Sequence, residues 1–133
     1  MYVRFVSPQP LEERRGNMGI FQPALDIVYD DATPHHVYWP IRQELDWFNE
    51  HLPKPRATSF EVRSRKSWRS DGICWFHDDA HEMIYRAFVL SALLRDCGVN
   101  ITKLATNRPG QILYRDDYQI IAKPAAETPV EWS

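Results

Sequence analysis

Apolar residues at positions 80, 83, 84, 87, 90, 94 and 97 recur with the spacing of one helical face and predict an amphipathic helix over residues 78–97. The flanking residues agree with it. Asp79 and Glu82 stand three apart like a capping box, acids crowd the first turn where the helix dipole favours them, and Gly98 follows where a left-handed terminator is needed. Ile41, Leu45, Phe48 and Leu52 mark a second face and predict a helix from Pro40 to Leu52, stopped by Pro53-Lys54-Pro55. Thr33-Pro34 offers an earlier start, but Pro40 would then fall in mid-helix, which argues for Pro40 as the opening residue. Positions 20, 21, 24, 25, 27 and 28 predict a third helix within Met18–Tyr29, beginning near Gln22 so that Pro23 lies in its first turn.

Shorter periods mark the strands. Met1 to Val6 sets Val3 and Phe5 against Tyr2 and Arg4, as in a half-buried strand, and Pro8 and Pro10 end it. Phe60 and Val62 alternate with Glu61, Arg63 and Arg65, which predicts a short edge strand. Ile73 to Phe76 is an apolar run too short for a helix and placed to steady the long helix after it. Val99 to Ala105 reads as a strand. Gln111–Tyr114 and Tyr118–Ala122 form a hairpin about Arg115-Asp116-Asp117, ended by Pro124. This order predicts an α+β fold, a mainly antiparallel sheet with helices packed on one face. Residues 1–124 are expected to form a single globular domain, with 125–133 a C-terminal tail that docks through Val130 and Trp132.

Length and composition fit this picture. A chain of 133 residues, 44% hydrophobic and 26% charged, can bury a real core and has neither the composition of a disordered segment nor that of a membrane protein. The N-terminal residues lack a secretion signal and no apolar run is long enough to span a bilayer, so a cytoplasmic protein without membrane contact is expected. Cys74, between Ile73 and Trp75, and Cys97, on the apolar stripe, read as reduced core thiols. A helix C-terminal end disfavours a thiolate at Cys97. No glycine-rich phosphate loop or nucleophile elbow is present, and no cofactor is implied.

Charge is distributed unevenly. The chain carries a net −2, yet between Lys54 and Arg69 six cations meet only Glu61, so that stretch is +5 and the rest −7. Arg63, Arg65, Lys66 and Arg69 around Trp68 combine apolar area with charge selection, the features of an interface hot spot. They are the candidate partner-binding residues of a small protein-binding or regulatory accessory module, with no catalytic residue assigned and a protein as partner. A homodimer through the same surface is compatible with this reading. The alternative is a nucleic-acid-binding protein in which segment 54–69 tracks a phosphate backbone while Phe60 or Trp68 stacks on a base. A third reading, a metal-dependent hydrolase, rests on His77 and His81 at i,i+4 beside Asp78 and Glu82, with His35, His36 or His51 as a further ligand.

Trp47-Phe48-Asn49 with His51-Leu52-Pro53, Trp75-Phe76 ahead of Asp79-Ala80, and Pro109-Gly110 with Tyr114, Asp116 and Gln119 together resemble a group of short uncharacterised bacterial proteins without an established function. The resemblance spans most of the chain. It implies a compact bacterial domain and assigns no functional residue.

Overall fold

The first strand organises the sheet, because both of its edges are used and one of them twice. A computed structural model describes residues 1–10, 17–53, 72–126 and 128–129. The elements are β1 (Tyr2–Pro10), β2 (Asn17–Gly19), α1 (Phe21–Val28), α2 (His35–His51), β3 (Ile73–His77), α3 (His81–Asp96), β4 (Thr102–Thr106), β5 (Gln111–Arg115) and β6 (Gln119–Lys123). Tyr2 to Val6 pair with Thr106 to Thr102 of β4. On the opposite edge Tyr2 and Val3 pair with His77 and Phe76 of β3, after which β1 turns to β2, with Val6 opposite Gly19. β3 continues to β6 and β6 to β5, all antiparallel. Among the described residues six strands and three helices give the α+β architecture that the element order predicts.

Strand alternation sorts side chains between two cores. Val3, Phe5 and Phe76 face the helices and join Ala24, Ile41, Leu45, Phe48, Met83, Ala87, Leu90 and Leu94 in the larger one. Ile73, Trp75, Ile120 and Ala122 form a smaller core on the other face. The helices therefore lie on one face. Each fully buried leucine or phenylalanine contributes roughly 1.5–3 kcal/mol relative to an exposed one. Trp75 is buried with its indole N–H unpaired.

The helices depart from expectation at their starts. α2 begins at His35 after an extended Pro34, so Pro40 lies inside it. The ring removes the hydrogen bond to the His36 carbonyl, but His36 is exposed and water can serve that group. Ile41, Leu45 and Phe48 are buried as the spacing predicts. α1 opens at Phe21 and places Pro23 in its first turn, where the missing N–H costs nothing. α3 begins at His81 rather than Asp78, because pairing of His77 with Tyr2 extends β3 and leaves Asp78-Asp79 as the connecting turn. Ala80 is its N-cap and no side chain caps it, so Asp79 and Glu82 do not form a capping box. At the other end Gly98 has φ +87, its N–H bonds the Arg95 carbonyl at 2.9 Å and the Val99 N–H the Leu94 carbonyl at 3.0 Å. This is a Schellman closure, sealed by Leu94 and Val99 in the same core. Cys97 sits at that cap and is exposed, not buried.

The predicted hairpin is β5–β6, and Asp116 builds its turn. One carboxylate oxygen accepts from the backbone N–H groups of Tyr118 and Gln119 at 2.8 and 3.0 Å, the other from the Tyr114 hydroxyl and the Gln119 amide at 2.8 and 3.0 Å. The described part of the tail turns back at Thr128, which is buried and whose hydroxyl accepts from the Ala125 N–H. Val130 and Trp132 lie outside the described residues.

Candidate functional site

The predicted partner-binding residues Arg63, Arg65, Lys66, Trp68 and Arg69 all lie outside the described residues, as does the strand expected around Phe60 and Val62. The metal candidates are placed, and they separate. His77 belongs to β3; its Nε2 donates to the Asp116 carbonyl at 2.9 Å and its ring lies against Tyr2. His81 opens α3 and is exposed. The i,i+4 relation needs one continuous helix, which the turn at Asp78-Asp79 removes. His81 instead shares a cavity of about 290 Å³ with His51, Asp79, Glu82, Asp117 and Tyr118 at the start of α3. His51 is held by its own partners, stacking on Trp47 at 4.5 Å and donating Nδ1–H to the Trp47 carbonyl at 2.9 Å. Among the described residues no three His, Cys, Asp or Glu side chains stand close enough to hold one metal ion.

A broad groove lies elsewhere, between α3 and β4. It has a volume of about 610 Å³ and is lined by Ile84, Tyr85, Phe88, Val89, Ala92 and Lys103, with Asp78 and His81 at one end. Tyr85 is 61% and Phe88 44% exposed, high values for aromatic rings. Phe88 packs edge-on against Phe5, and the Lys103 ammonium lies 5.7 Å from the Phe88 ring centroid. Among the described residues β4 is paired on one side only, with β1, so it is an edge strand beside an apolar helix flank. Sequence reasoning passed over this face, although its signal is present: residues 85, 88, 89 and 92 form a second apolar stripe with helical spacing, beside the core stripe.

Two further cavities meet on the helix side of the sheet. One, about 350 Å³, lies where β1 leaves β3 for β2, between Arg4, Gly19, Phe21, Leu25, Cys74 and Phe76. The other, about 320 Å³, runs on between α1, α2 and β6, lined by Leu45, Phe48, Leu52 and Ile121 together with the shared Phe21, Leu25 and Cys74. Their polar wall is internally satisfied: the Cys74 thiol donates to Gln119 Oε1 at 3.0 Å, and Gln119 Nε2 donates to the Pro53 carbonyl at 2.7 Å and to Asp116. Burial pushes the Cys74 thiol up to about 12, which keeps it neutral and makes it a poor nucleophile at pH 7.

Among the described residues one ion pair links α2 to α3. Arg86 of α3 donates to Glu44 of α2 at 3.1 Å, with its guanidinium 4.9 Å from the Trp47 ring centroid. Glu44 is only 7% exposed, so the pair fixes the α2–α3 register in a partly desolvated place.

No family model, curated protein or solved structure matches the chain. Among the described residues no helix is long and apolar enough to cross a membrane.

Proposed function

We propose that the protein is a small protein-binding accessory module whose docking face is the α3–β4 groove. The observation that carries this reading is the exposure of Tyr85 and Phe88 beside the edge strand β4. Aromatic rings in a groove anchor binding energy, since a few well-buried Trp, Tyr and Arg residues dominate most interfaces. Lys103 at the groove wall selects a partner that brings an acidic side chain next to its apolar anchors. Arg63, Arg65, Lys66 and Arg69 with Trp68 supply a second contact on the strength of their charge and ring alone. The test is affinity capture from the native cell with the wild-type chain and a Tyr85→Ser/Phe88→Ser variant, followed by reconstitution with the captured partner. The variant is expected to keep its thermal stability and to weaken the purified complex by about 100-fold, the loss of one strong hot spot. An affinity equal to wild type sinks the α3–β4 assignment. Trp68→Ala, measured in the same way, reports on the cationic stretch.

A further inference from the structure

Among the described residues the sheet ends at β2, β4 and β5, and only β4 leaves an edge suited to pairing. β2 is three residues long, and β5 carries a register shift between Ile112 and Tyr114. Short or bulged edges resist pairing with other chains. β4 is neither: Thr102 to Thr106 pair with β1 in unbroken register, contain no proline and carry a single charge, Lys103. We propose that a second copy of this chain pairs with that edge, in a two-fold dimer whose sheet continues from β4 of one copy to β4 of the other. This rests on the α3–β4 groove as the docking face and names its occupant.

A two-fold axis normal to the sheet serves both layers at once. Residues directly opposite each other share a face, so Lys103 and Ala105 lie on the helix side with Phe5 and Val3, and Leu104 lies on the other. With the axis at Leu104, each Lys103 stands across from Ala105 of the other copy. Phe88 packs on Phe5, the pairing partner of Lys103, so the middle of the stripe formed by Tyr85, Phe88 and Ala92 stands within one residue of the middle of β4. The axis that pairs β4 with itself therefore brings the two stripes face to face. Each α3 then stands over a β1, and the two β1 strands are three strand spacings apart, about 14 Å. Ordinary helix pairs approach to about 8–10 Å. Tyr85 and Phe88 from both copies fill the wider interval, which accounts for their exposure in the single chain. On the opposite face Leu104, packed against the smaller core, meets its own counterpart.

Charge favours a second copy over a foreign partner. Lys103 lies beside Phe88, whereas Asp78 and His81 lie towards the Thr106 end of the groove, since the Asp78 N–H bonds the Met1 carbonyl and Tyr2 pairs with Thr106. Antiparallel pairing sets the two grooves end to end, so Lys103 of each copy is directed to the end at which the other carries Asp78. Ala105, small and exposed, leaves room for the lysine stem across from it. A partner for this face must bring a strand edge, an apolar stripe and an acid in that order, and the chain itself carries all three.

Sedimentation of the full chain over a range of concentrations tests the proposal. A particle of twice the chain mass is expected, with a Kd of about 10 μM or tighter. Ala105→Lys sets like charges across the new strand pair, twice per dimer, and should weaken it about tenfold, while Ala105→Glu should tighten it about tenfold. Ala105 is exposed in the single chain, so both variants should keep its unfolding temperature, and a gain of affinity in the second does not arise from misfolding. Tyr85→Ser/Phe88→Ser should leave a monomer. A wild-type chain that stays monomeric at about 200 μM overturns the inference. If a complex captured from the cell still depends on Tyr85 and Phe88, the groove is then a docking face for another protein, and the second copy alone is excluded. A dimer indifferent to both Ala105 substitutions pairs through another surface and overturns the inference as well.

Discussion

Gly110 is where a single methyl group should do most damage. It precedes β5 with φ +107, and a Cβ built on it would lie 1.9 Å from the Lys123 carbonyl oxygen, 2.9 Å from its carbonyl carbon and 3.0 Å from Pro124 Cα. All three atoms belong to backbone, so no side-chain rotation relieves the overlap. The end of β6 must move, and with it the pairing of Gln111 with Lys123. Gly98 supplies the control: it too has positive φ, at +87, but nothing lies within 4 Å of its Cβ position. Gly98→Ala therefore loses only the conformational term, about 1 kcal/mol. Gly110→Ala loses that term, a strand-end hydrogen bond at about 1 kcal/mol and an overpacking cost of about 1–3 kcal/mol. The sum is about 4 kcal/mol, a large share of the 5–15 kcal/mol that typically holds a domain together. With a urea m-value of about 2 kcal/mol/M, the midpoint should fall by about 2 M for Gly110→Ala and about 0.5 M for Gly98→Ala. Equal losses in the two variants would mean that the close approach to Lys123 is not a feature of the folded protein.

The Glu44–Arg86 pair predicts an asymmetry in mutational cost. Arg86→Ala leaves a buried carboxylate without its partner and should cost about 2 kcal/mol, between the values for exposed and fully buried pairs, whereas Glu44→Leu/Arg86→Met should come close to wild type; urea unfolding of both decides. The thiols should differ in reactivity, a disulfide reagent at pH 8 modifying exposed Cys97 in the native protein and Cys74 only after denaturation. Stability should also fall in alkali. Burial holds the Cys74 proton up to about 12, and burial with the hydrogen bond to Asp116 does the same for Tyr114, while the unfolded chain releases them near 9.0 and 10.0. The unfolded state then binds fewer protons across that interval, so stability is complete below about pH 9 and declines as pH rises towards 12. Cys74→Ala should flatten the first part of the decline, and an unchanged pH profile in that variant would remove the thiol from the explanation.

Elements with a strong local signal were legible in the sequence: the 4-3-4 spacing of α2, the core stripe of α3, the Gly98 terminator and the Asp116 hairpin. Those determined by strand pairing were not. β3 reads as an undifferentiated apolar run because it is central, with Phe76 buried in one core and Ile73 and Trp75 in the other, which erases the alternation that marks a strand. β2 is three residues long and exists because β1 has a vacant edge for it. The start of α3 was misplaced for the same reason, since the pairing of His77 with Tyr2 overrides the helical pattern at Asp78 and Asp79. At the level of sites, Tyr85 and Phe88 were visible as a second stripe but were overshadowed by the cationic segment, and the hydrogen bond between Cys74 and Gln119 depends on the pairing of β3 with β6.

The double use of β1 also sets the order in which the protein can assemble. Its partners β3 and β4 lie about seventy and a hundred residues further along the chain, and only the three-residue β2 is near. A ribosome adding about 5–20 residues per second needs about 5–20 s to produce the stretch between Val6 and Thr102. Until then Val3, Phe5 and Val6 have no full set of neighbours, and the β5–β6 hairpin emerges later still. Folding of this chain thus waits on β4 in its essential step, with a long loop to close before β1 gains a full set of neighbours. A permuted chain that carried β1 immediately after β4 would shorten that loop to a hairpin and should fold faster with the same final contacts.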